Sequence, residues 1–386
     1  MTGVRIFVFF GFVFGIFSLL GIYVYTRLGQ TFPSSFVTTK WGLTIFIFFL
    51  FSFFIGKIWE RASINIFNES LIRIGSVAAG FFFYTLLFIV FFDLIRLINS
   101  IIPFYPDFVI NNYQQTKWII GICSIAIIST LMIMGYVKTI NPKIKYLELE
   151  IDKPKSNLKE LNIVAVSDIH LGTMVNKSKV RRLVKQINKL EADVVLIGGD
   201  IIDDNIEVVK HYRLMEELSK IQSKYGVYSC MGNHDYISGG HHHLEYYKQN
   251  GIHILKDTSI LINNQFYVVG RDDIQGNQAN GVNRQALGSL FSNIDFSKVV
   301  LCLDHQPYKL EEVANYPIDF QFSGHTHNGQ FWPLNYITGL IFEEDWGYLK
   351  KKNTHFYISS GYGTAVVPIR VGNHSEIVNI KLKNNK

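Results

Sequence analysis

Four long apolar runs within the first 143 residues constrain this chain more than any other feature. The hydrocarbon core of a bilayer takes about 20 apolar residues of helix. Residues 4–25, 41–58, 74–95 and 118–137 each supply such a stretch. A cleaved signal peptide accounts for the first run only. The expectation is a transmembrane domain of four helices over residues 1–143, followed by a second domain over residues 144–386.

Charge sorts the same way. Hydrophobic residues make up 48% of the chain and charged residues 18%, and the apolar excess sits in front. There the acids Glu60, Glu69, Asp93 and Asp107 face Arg5, Arg27, Lys40, Lys57, Arg61, Arg73, Arg96, Lys117, Lys138 and Lys143. The formal net charge of +6 is thereby used up, and the rest of the chain is close to neutral. It carries no run of clustered Lys and Arg, which argues against a nucleic-acid footprint. An even number of spans leaves both flanks on one side, with Arg5, Lys57, Arg61, Arg73, Lys138, Lys143 and Lys145. The other side receives Arg27, Lys40, Arg96 and Lys117. The positive-inside rule then points to an integral membrane protein of the cell or inner membrane, its second domain cytoplasmic. Asp93 and Arg96, near the end of the third run, read as an i,i+3 pair whose Arg snorkels to the interface. Cys123, Cys230 and Cys302 lack metal-ligand or disulfide spacing and read as small apolar residues.

After residue 144 short apolar runs alternate with amphipathic stretches. Strands are expected at 144–151, 161–167, 194–198, 227–231, 252–255, 266–269, 299–303, 319–323, 356–360 and 377–382. Helices are expected at 177–190, 206–221, 242–250 and 308–315. The fold class is α/β.

Five polar clusters each follow an expected strand. They are Asp168-Ile169-His170, Gly199-Asp200-Ile201-Ile202-Asp203, Gly232-Asn233-His234-Asp235, Asp304-His305 and Gly324-His325-Thr326-His327. Strand C-termini are where open α/β sheets gather their sites. Each cluster alone means little; five in order through one α/β region are a strong signal. Asp168 and His170, two apart, would point to one side of an extended chain. Asp200, after Gly198-Gly199, has two oxygens with which to bridge two ions. Asn233, His305, His325 and His327 add an amide oxygen and imidazoles. Oxygen and nitrogen donors without thiolate suit Mn, Fe or Zn, with manganese first among them, better than Ca or Cu(I). Two divalent ions against Asp168 and Asp200 leave a net positive site that a phosphate completes. Such ions also acidify a bridging water into a nucleophile.

The set resembles the calcineurin-like metallophosphoesterases, whose pattern runs D-x-H, G-D-x-x-D, G-N-H, H, G-H-x-H. The resemblance covers roughly residues 160–386. Within that family it is most similar to a bacterial, membrane-attached, phosphodiesterase-like branch, through 324–330 (GHTHNGQ), 360–363 (SGYG) and 367–370 (VPIR). It implies a four-layer αββα sandwich behind the transmembrane helices. It implies that Asp168, His170 and His327 hold one metal, that Asn233, His305 and His325 hold a second, and that Asp200 bridges. It implies His234 as the acid for the leaving group and Asp203 as the carboxylate orienting it. The sequence departs at Asn328, where this branch usually has Gly.

The expected activity is hydrolysis of a phosphoester or pyrophosphate bond. The membrane anchor suggests a phospholipid or lipid-sugar nucleotide precursor as substrate. The alternative is a metal-stabilised binding or sensing module without turnover. A transporter is disfavoured, because four spans with so little buried charge make a poor pathway. His241-His242-His243 reads as an exposed loop or helix start, Gly361-Tyr362-Gly363 as a tight turn, and Arg271-Asp272-Asp273 as a solvated turn. Residues 331–349, rich in Trp, Tyr, Leu and Ile, read either as a packed hairpin or as a lipid contact beside the site, with Trp332 and Phe342 the residues to replace.

Overall fold

The computed structural model describes residues 3–276, 281 and 283–385, with the side chains of residues 3–10 and 13 outside that description. The side chains of Val4 and Arg5, used above for the first span and its flanking charge, lie outside the described residues. The chain divides into two compact units, Met1–Met134 and Gly135–Lys386.

Among the described residues, three helices are long and apolar enough to cross a membrane: Lys40–Ala62, Ile66–Ile101 and Tyr113–Ile140. A further long helix, Gly3–Thr31, covers the first apolar run. The helices outrun the apolar stretches. Ile66–Ile101 has 36 residues because Asn68, Glu69, Ser70 and Arg73 continue the helical turns past the hydrocarbon-like segment. Side chains set the starts: Thr39 Oγ1 accepts from Gly42 N, and Asn65 Oδ1 accepts from Phe67 N and Asn68 N. Where Lys40–Ala62 meets Ile66–Ile101, the contact residues are small: Ser52, Gly56, Gly75 and Ser76 are buried. A methyl group on Gly75 would press on the Phe53 backbone, so the two helices approach closely by lacking side chains there. Asp93 pairs with Arg96 Nη2 at 2.8 Å as its spacing suggests, and also with Arg27 Nη2 at 2.6 Å and the Tyr23 hydroxyl at 2.7 Å.

Among the described residues the second unit holds twelve strands in two sheets. The first sheet contains β1 (Lys143–Ile151), β2 (Glu160–Val166), β3 (Val194–Ile197), β4 (Val227–Ser229), β5 (Ile252–Ile254) and β12 (Glu376–Asn384), in the order β1-β12-β2-β3-β4-β5. The second contains β6 (Thr258–Ile262), β7 (Phe266–Gly270), β8 (Val299–Leu303), β9 (Phe320–Ser323), β10 (Gly347–Lys351) and β11 (Thr354–Ile358), in the order β10-β11-β9-β8-β7-β6. β2 to β5 run parallel, as do β7, β8, β9 and β11.

Alternation along the strands builds the layers. Leu161, Ile163, Ala165, Val194 and Leu196 meet Val299, Leu301, Leu303, Phe320 and Phe322 between the sheets. The intervening Val164, Val166, Val195 and Ile197 face outward onto Val180, Leu183 and Ile187 of helix Lys177–Asn188. Val300 and Cys302 face the other way, onto Leu310, Val313 and Phe291. The result is the four-layer αββα sandwich expected from the resemblance. β6 and β10 were not expected. Both are outer strands of their sheet with little burial, so their sequences lack the apolar run that marks an inner strand. The expected helix at 206–221 is two short helices, Ile206–His211 and Leu214–Leu218, broken where Arg213 takes φ 54°.

Because Phe320 is fully buried between the sheets, Phe320→Ala should cost about 3–5 kcal/mol. Thr258→Ala, on exposed β6, should stay within about 0.5 kcal/mol. Thermal unfolding of the purified protein, followed by loss of near-ultraviolet dichroism, measures both.

Candidate metal centre

Three parallel strand ends of one sheet and two of the other carry the chemistry. Asp168 and His170 follow β2, Asp200 follows β3, and Asn233 and His234 follow β4. His305 follows β8, and His325 and His327 follow β9. The backbone there is unusual. Asp168 (φ 52°), His170 (52°), Asp200 (50°), His325 (73°) and His327 (50°) all lie in the left-handed region. Such a conformation is uncommon for residues with a Cβ and gathers at functional sites. It corrects the expectation that Asp168 and His170 converge because the chain is extended. They converge because the chain turns left-handed at each of them. Gly199 (φ 83°) is needed next to them, since a Cβ there would sit 2.7 Å from His305 Nδ1. Asn328, at φ 46° and ψ 48°, occupies a left-handed position that Gly fills most easily and Asn next best.

The side chains meet in linked groups. Ligand atoms of Asp168, His170 and His327 lie within 4.8 Å of one another, as do those of Asp168, Asp200 and His305. His170 Nε2 lies 3.1 Å from His327 Nε2. Asp200 Oδ2 lies 3.2 Å from His305 Nε2 and 3.9 Å from His170 Nε2, between the two groups. Asn233 Oδ1 lies 3.1 Å from His305 Nε2 and 2.8 Å from His325 Nδ1. Asp203 stands beside two histidines. Its carboxylate Oδ1 is 3.1 Å from His170 Nδ1 and 3.5 Å from His234 Nδ1, whereas its backbone carbonyl takes His234 Nδ1 at 2.7 Å. The carboxylate thus orients His170 first, and the carbonyl fixes His234.

The field inside is strong. Burial pushes the Asp168 carboxyl up, and Asp200 adds to it. Burial opposes charge on Asp200 as well, but the charge and hydrogen bond of His305 hold it well below the carboxylate range. Burial likewise opposes charge on His170, yet the hydrogen bond and charge of Asp203, then Asp200 and Asp168, lift it to about 9. Burial and the charge of His305 bring His325 down to about 3. Two buried carboxylates need cationic partners. Divalent cations, taking deprotonated imidazoles and the carboxylates as donors, would fill that role, with release of protons. The donor set therefore fits a two-metal centre.

Several supporting residues are visible only in three dimensions. Asp235 is buried and accepts from Gly232 N at 3.0 Å, Ile202 N at 3.1 Å and the Tyr247 hydroxyl at 3.1 Å, tying the Asp200 and Asn233 loops together. Arg370 is fully buried and donates to Gly363 O at 2.7 Å and Gly361 O at 3.1 Å, with Nη2 3.4 Å from His327 Nδ1. Asn373 Nδ2 holds the carbonyls of His327 and Asn328, both at 2.9 Å. Gly363 N in turn donates to Asp168 O at 2.7 Å. The forewarning of Gly363 and Arg370 was the short signature at 360–363 and 367–370, and that of Asp235 its place in the cluster after β4. Arg271, Asp272 and Asp273 overturn the reading of a solvated turn: all three are buried, with Arg271 Nη1 2.7 Å from Asp304 Oδ2 and the Tyr236 hydroxyl 2.6 Å from Asp272 Oδ1. His241 and His242 sit in a short turn, His241 stacked on Tyr236 at 4.7 Å.

Comparison with known proteins agrees with this geometry. Residues 161–329 match the family model described as calcineurin-like phosphoesterase. An uncharacterized metallophosphoesterase of Helicobacter pylori strain J99 is 31% identical over 250 residues, covering 62% of this chain and 64% of the relative. A zebrafish transmembrane protein with metallophosphoesterase domain is 28% identical over 288 residues, covering 71% of this chain and 64% of the relative. The uncharacterized metallophosphoesterase Cj0846 of Campylobacter jejuni is 29% identical over 402 residues, covering 99% of this chain and all of the relative. The chain thus spans just under two thirds of the Helicobacter and zebrafish proteins. Residues 161–329 therefore carry a calcineurin-like phosphoesterase domain.

Gly199→Ala, which drives a methyl group into His305 at a positive φ, should sharply lower bound metal measured by inductively coupled plasma mass spectrometry. Asn328→Gly should leave it unchanged, because Gly accepts that backbone freely.

Proposed function

We propose that this protein is a membrane-anchored, metal-dependent phosphoesterase that cleaves a phosphoester or pyrophosphate bond in a lipid-linked substrate. The observation that carries the reading is Asp200, whose Oδ2 stands between His305 Nε2 at 3.2 Å and His170 Nε2 at 3.9 Å, as a shared ligand of two cations must. Asp168, His170 and His327 would hold one cation, Asn233, His305 and His325 the other, and Asp200 both. Manganese, iron or zinc suits these donors, manganese first among them. When bound, the pair supplies Lewis acidity toward phosphate and an acidified water. His234 is more open than its neighbours, with 26% of its side chain exposed. The Asp203 carbonyl holds its Nδ1, so Nε2 is the nitrogen left to pass a proton to the leaving oxygen. Asp203, by its carboxylate, keeps His170 oriented. The distribution of Lys and Arg between the two flanks supports a cytoplasmic catalytic unit.

The lipid assignment rests on the surface next to the centre. Residues 331–349 form neither a packed hairpin nor a featureless loop. They contain helix Leu334–Ile341, which has no charged residue and buries none of its residues. Tyr336, Ile337 and Ile341 are exposed, and Leu340 is 88% exposed. The helix belongs to the ligand loop: Thr326 Oγ1 donates to Asp345 O, and the Phe342 ring lies 5.9 Å from the His325 ring. Phe342 is itself buried against Tyr308 and His325, so it is a packing residue rather than the lipid contact expected of it. A solvent-facing apolar helix joined to a phosphoester site suits a substrate with an apolar chain. Only Asn141 and Pro142 separate helix Tyr113–Ile140 from β1.

Asp200→Asn and His234→Ala should each reduce metal-dependent phosphate release about 10²–10⁴-fold. Full activity in both, or metal binding without turnover on a broad panel of phosphoesters, would reject the enzyme reading in favour of a binding module. Ile337→Glu with Leu340→Glu should slow hydrolysis of a phospholipid in mixed micelles at least tenfold, while sparing a small soluble diester such as bis(p-nitrophenyl) phosphate. Equal loss on both substrates would reject the lipid assignment.

A further inference from the structure

The first unit contains a charged cavity built from residues that play no part in the metal centre. A cavity of about 490 Å³ opens among helices Gly3–Thr31, Ile66–Ile101 and Tyr113–Ile140. Arg27, Arg96 and Lys117 line it, with one carboxylate, Asp93. These residues lie near the C-terminal ends of the first two helices and the N-terminal end of the third, so they share one level of the bundle. Asp93 is engaged by Arg27 at 2.6 Å and Arg96 at 2.8 Å. Lys117 Nζ donates to the Gln30 carbonyl at 2.8 Å and lies over the Tyr113 ring, and no carboxylate is paired with it among the described residues. The wall therefore carries two more positive charges than negative ones. Unbalanced positive charge at the membrane interface attracts an anion.

The rest of the cavity is largely apolar. Phe88, Phe92, Ile120 and Ile128 continue it along the helices. From Lys117 to Ile128 the helix rises about 16 Å, roughly half of the ~30 Å hydrocarbon core. A cationic mouth above an apolar trough of one leaflet's depth has the form of a phospholipid. We propose that this cavity binds an anionic phospholipid, with its phosphate against Arg27, Arg96 and Lys117 and an acyl chain along Phe88, Phe92 and Ile128. The site is independent of the catalytic reading and would stand if that reading failed.

The test uses the full chain, purified in dodecyl maltoside and titrated with dioctanoyl phosphatidylglycerol, dioctanoyl phosphatidylcholine or inorganic phosphate, with bound lipid counted by native mass spectrometry. Phosphatidylglycerol should be retained in preference to phosphatidylcholine. Lys117→Gln should weaken it about fivefold, the expected worth of one cationic side chain, and Lys117→Arg should restore it. His234→Ala should leave it unchanged, which separates this site from the metal centre. Equal retention of both lipids, an unaffected Lys117→Gln protein, or displacement of the lipid by millimolar inorganic phosphate would each overturn the proposal.

Discussion

The buried contact between Asp200 and His305 is where the catalytic unit is joined at its working end. Asp200 comes from the strand end of one sheet and His305 from the strand end of the other. The same division recurs at Asp168 and His170, which belong to the first sheet and meet His327 of the second. Each group of donors thus straddles the seam between the sheets. The apolar interior formed by Leu196, Phe320 and their neighbours brings the sheets together without direction. The charged contacts fix how they are set against each other, because a carboxylate buried without its partner would cost several kcal/mol.

Around this seam the chain is laced by backbone polar groups rather than by bulk. Gln330 Nε2 donates to the carbonyls of Val367 at 2.8 Å and Ala365 at 3.0 Å, and Ala365 N returns a bond to Gln330 Oε1 at 2.8 Å. Arg370 and Asn373 close the same ring around His327. Three separated signatures in the sequence, at 324–330, 360–363 and 367–370, are one hydrogen-bonded girdle in space. That is why a buried guanidinium is tolerated with carbonyls as its main partners. It donates to the carbonyls of Gly361 and Gly363, acceptors that lie outside any regular ladder.

Much of the catalytic unit was legible because its inner strands are short apolar runs and each ends in a polar cluster. What was not legible depends on distant partners. Arg271, Asp272 and Asp273 look like a solvated turn until Asp304 and Tyr236 arrive to pair with them. Asp203 could be assigned to one histidine from its spacing, but two histidines compete for it and its carbonyl takes one of them. Left-handed backbone at Asp168 and His170 leaves only a weak mark in residue type, since Asp and His enter that region more readily than most residues but do not demand it. In the first unit the pairing of Asp93 with Arg96 is local and readable, whereas Arg27 reaches the same carboxylate from another helix.

The order of strands in the first sheet has a consequence for how the protein is made. β12 lies between β1 and β2, parallel to one and antiparallel to the other. The ribosome delivers β1 and β2 long before it delivers β12. Until then the two early strands each present an open edge, and contacts so remote along the chain form late. Insertion of the apolar helices can therefore precede closure of the sheet, leaving a nascent chain already held in the bilayer while its catalytic half is still an unfinished fabric.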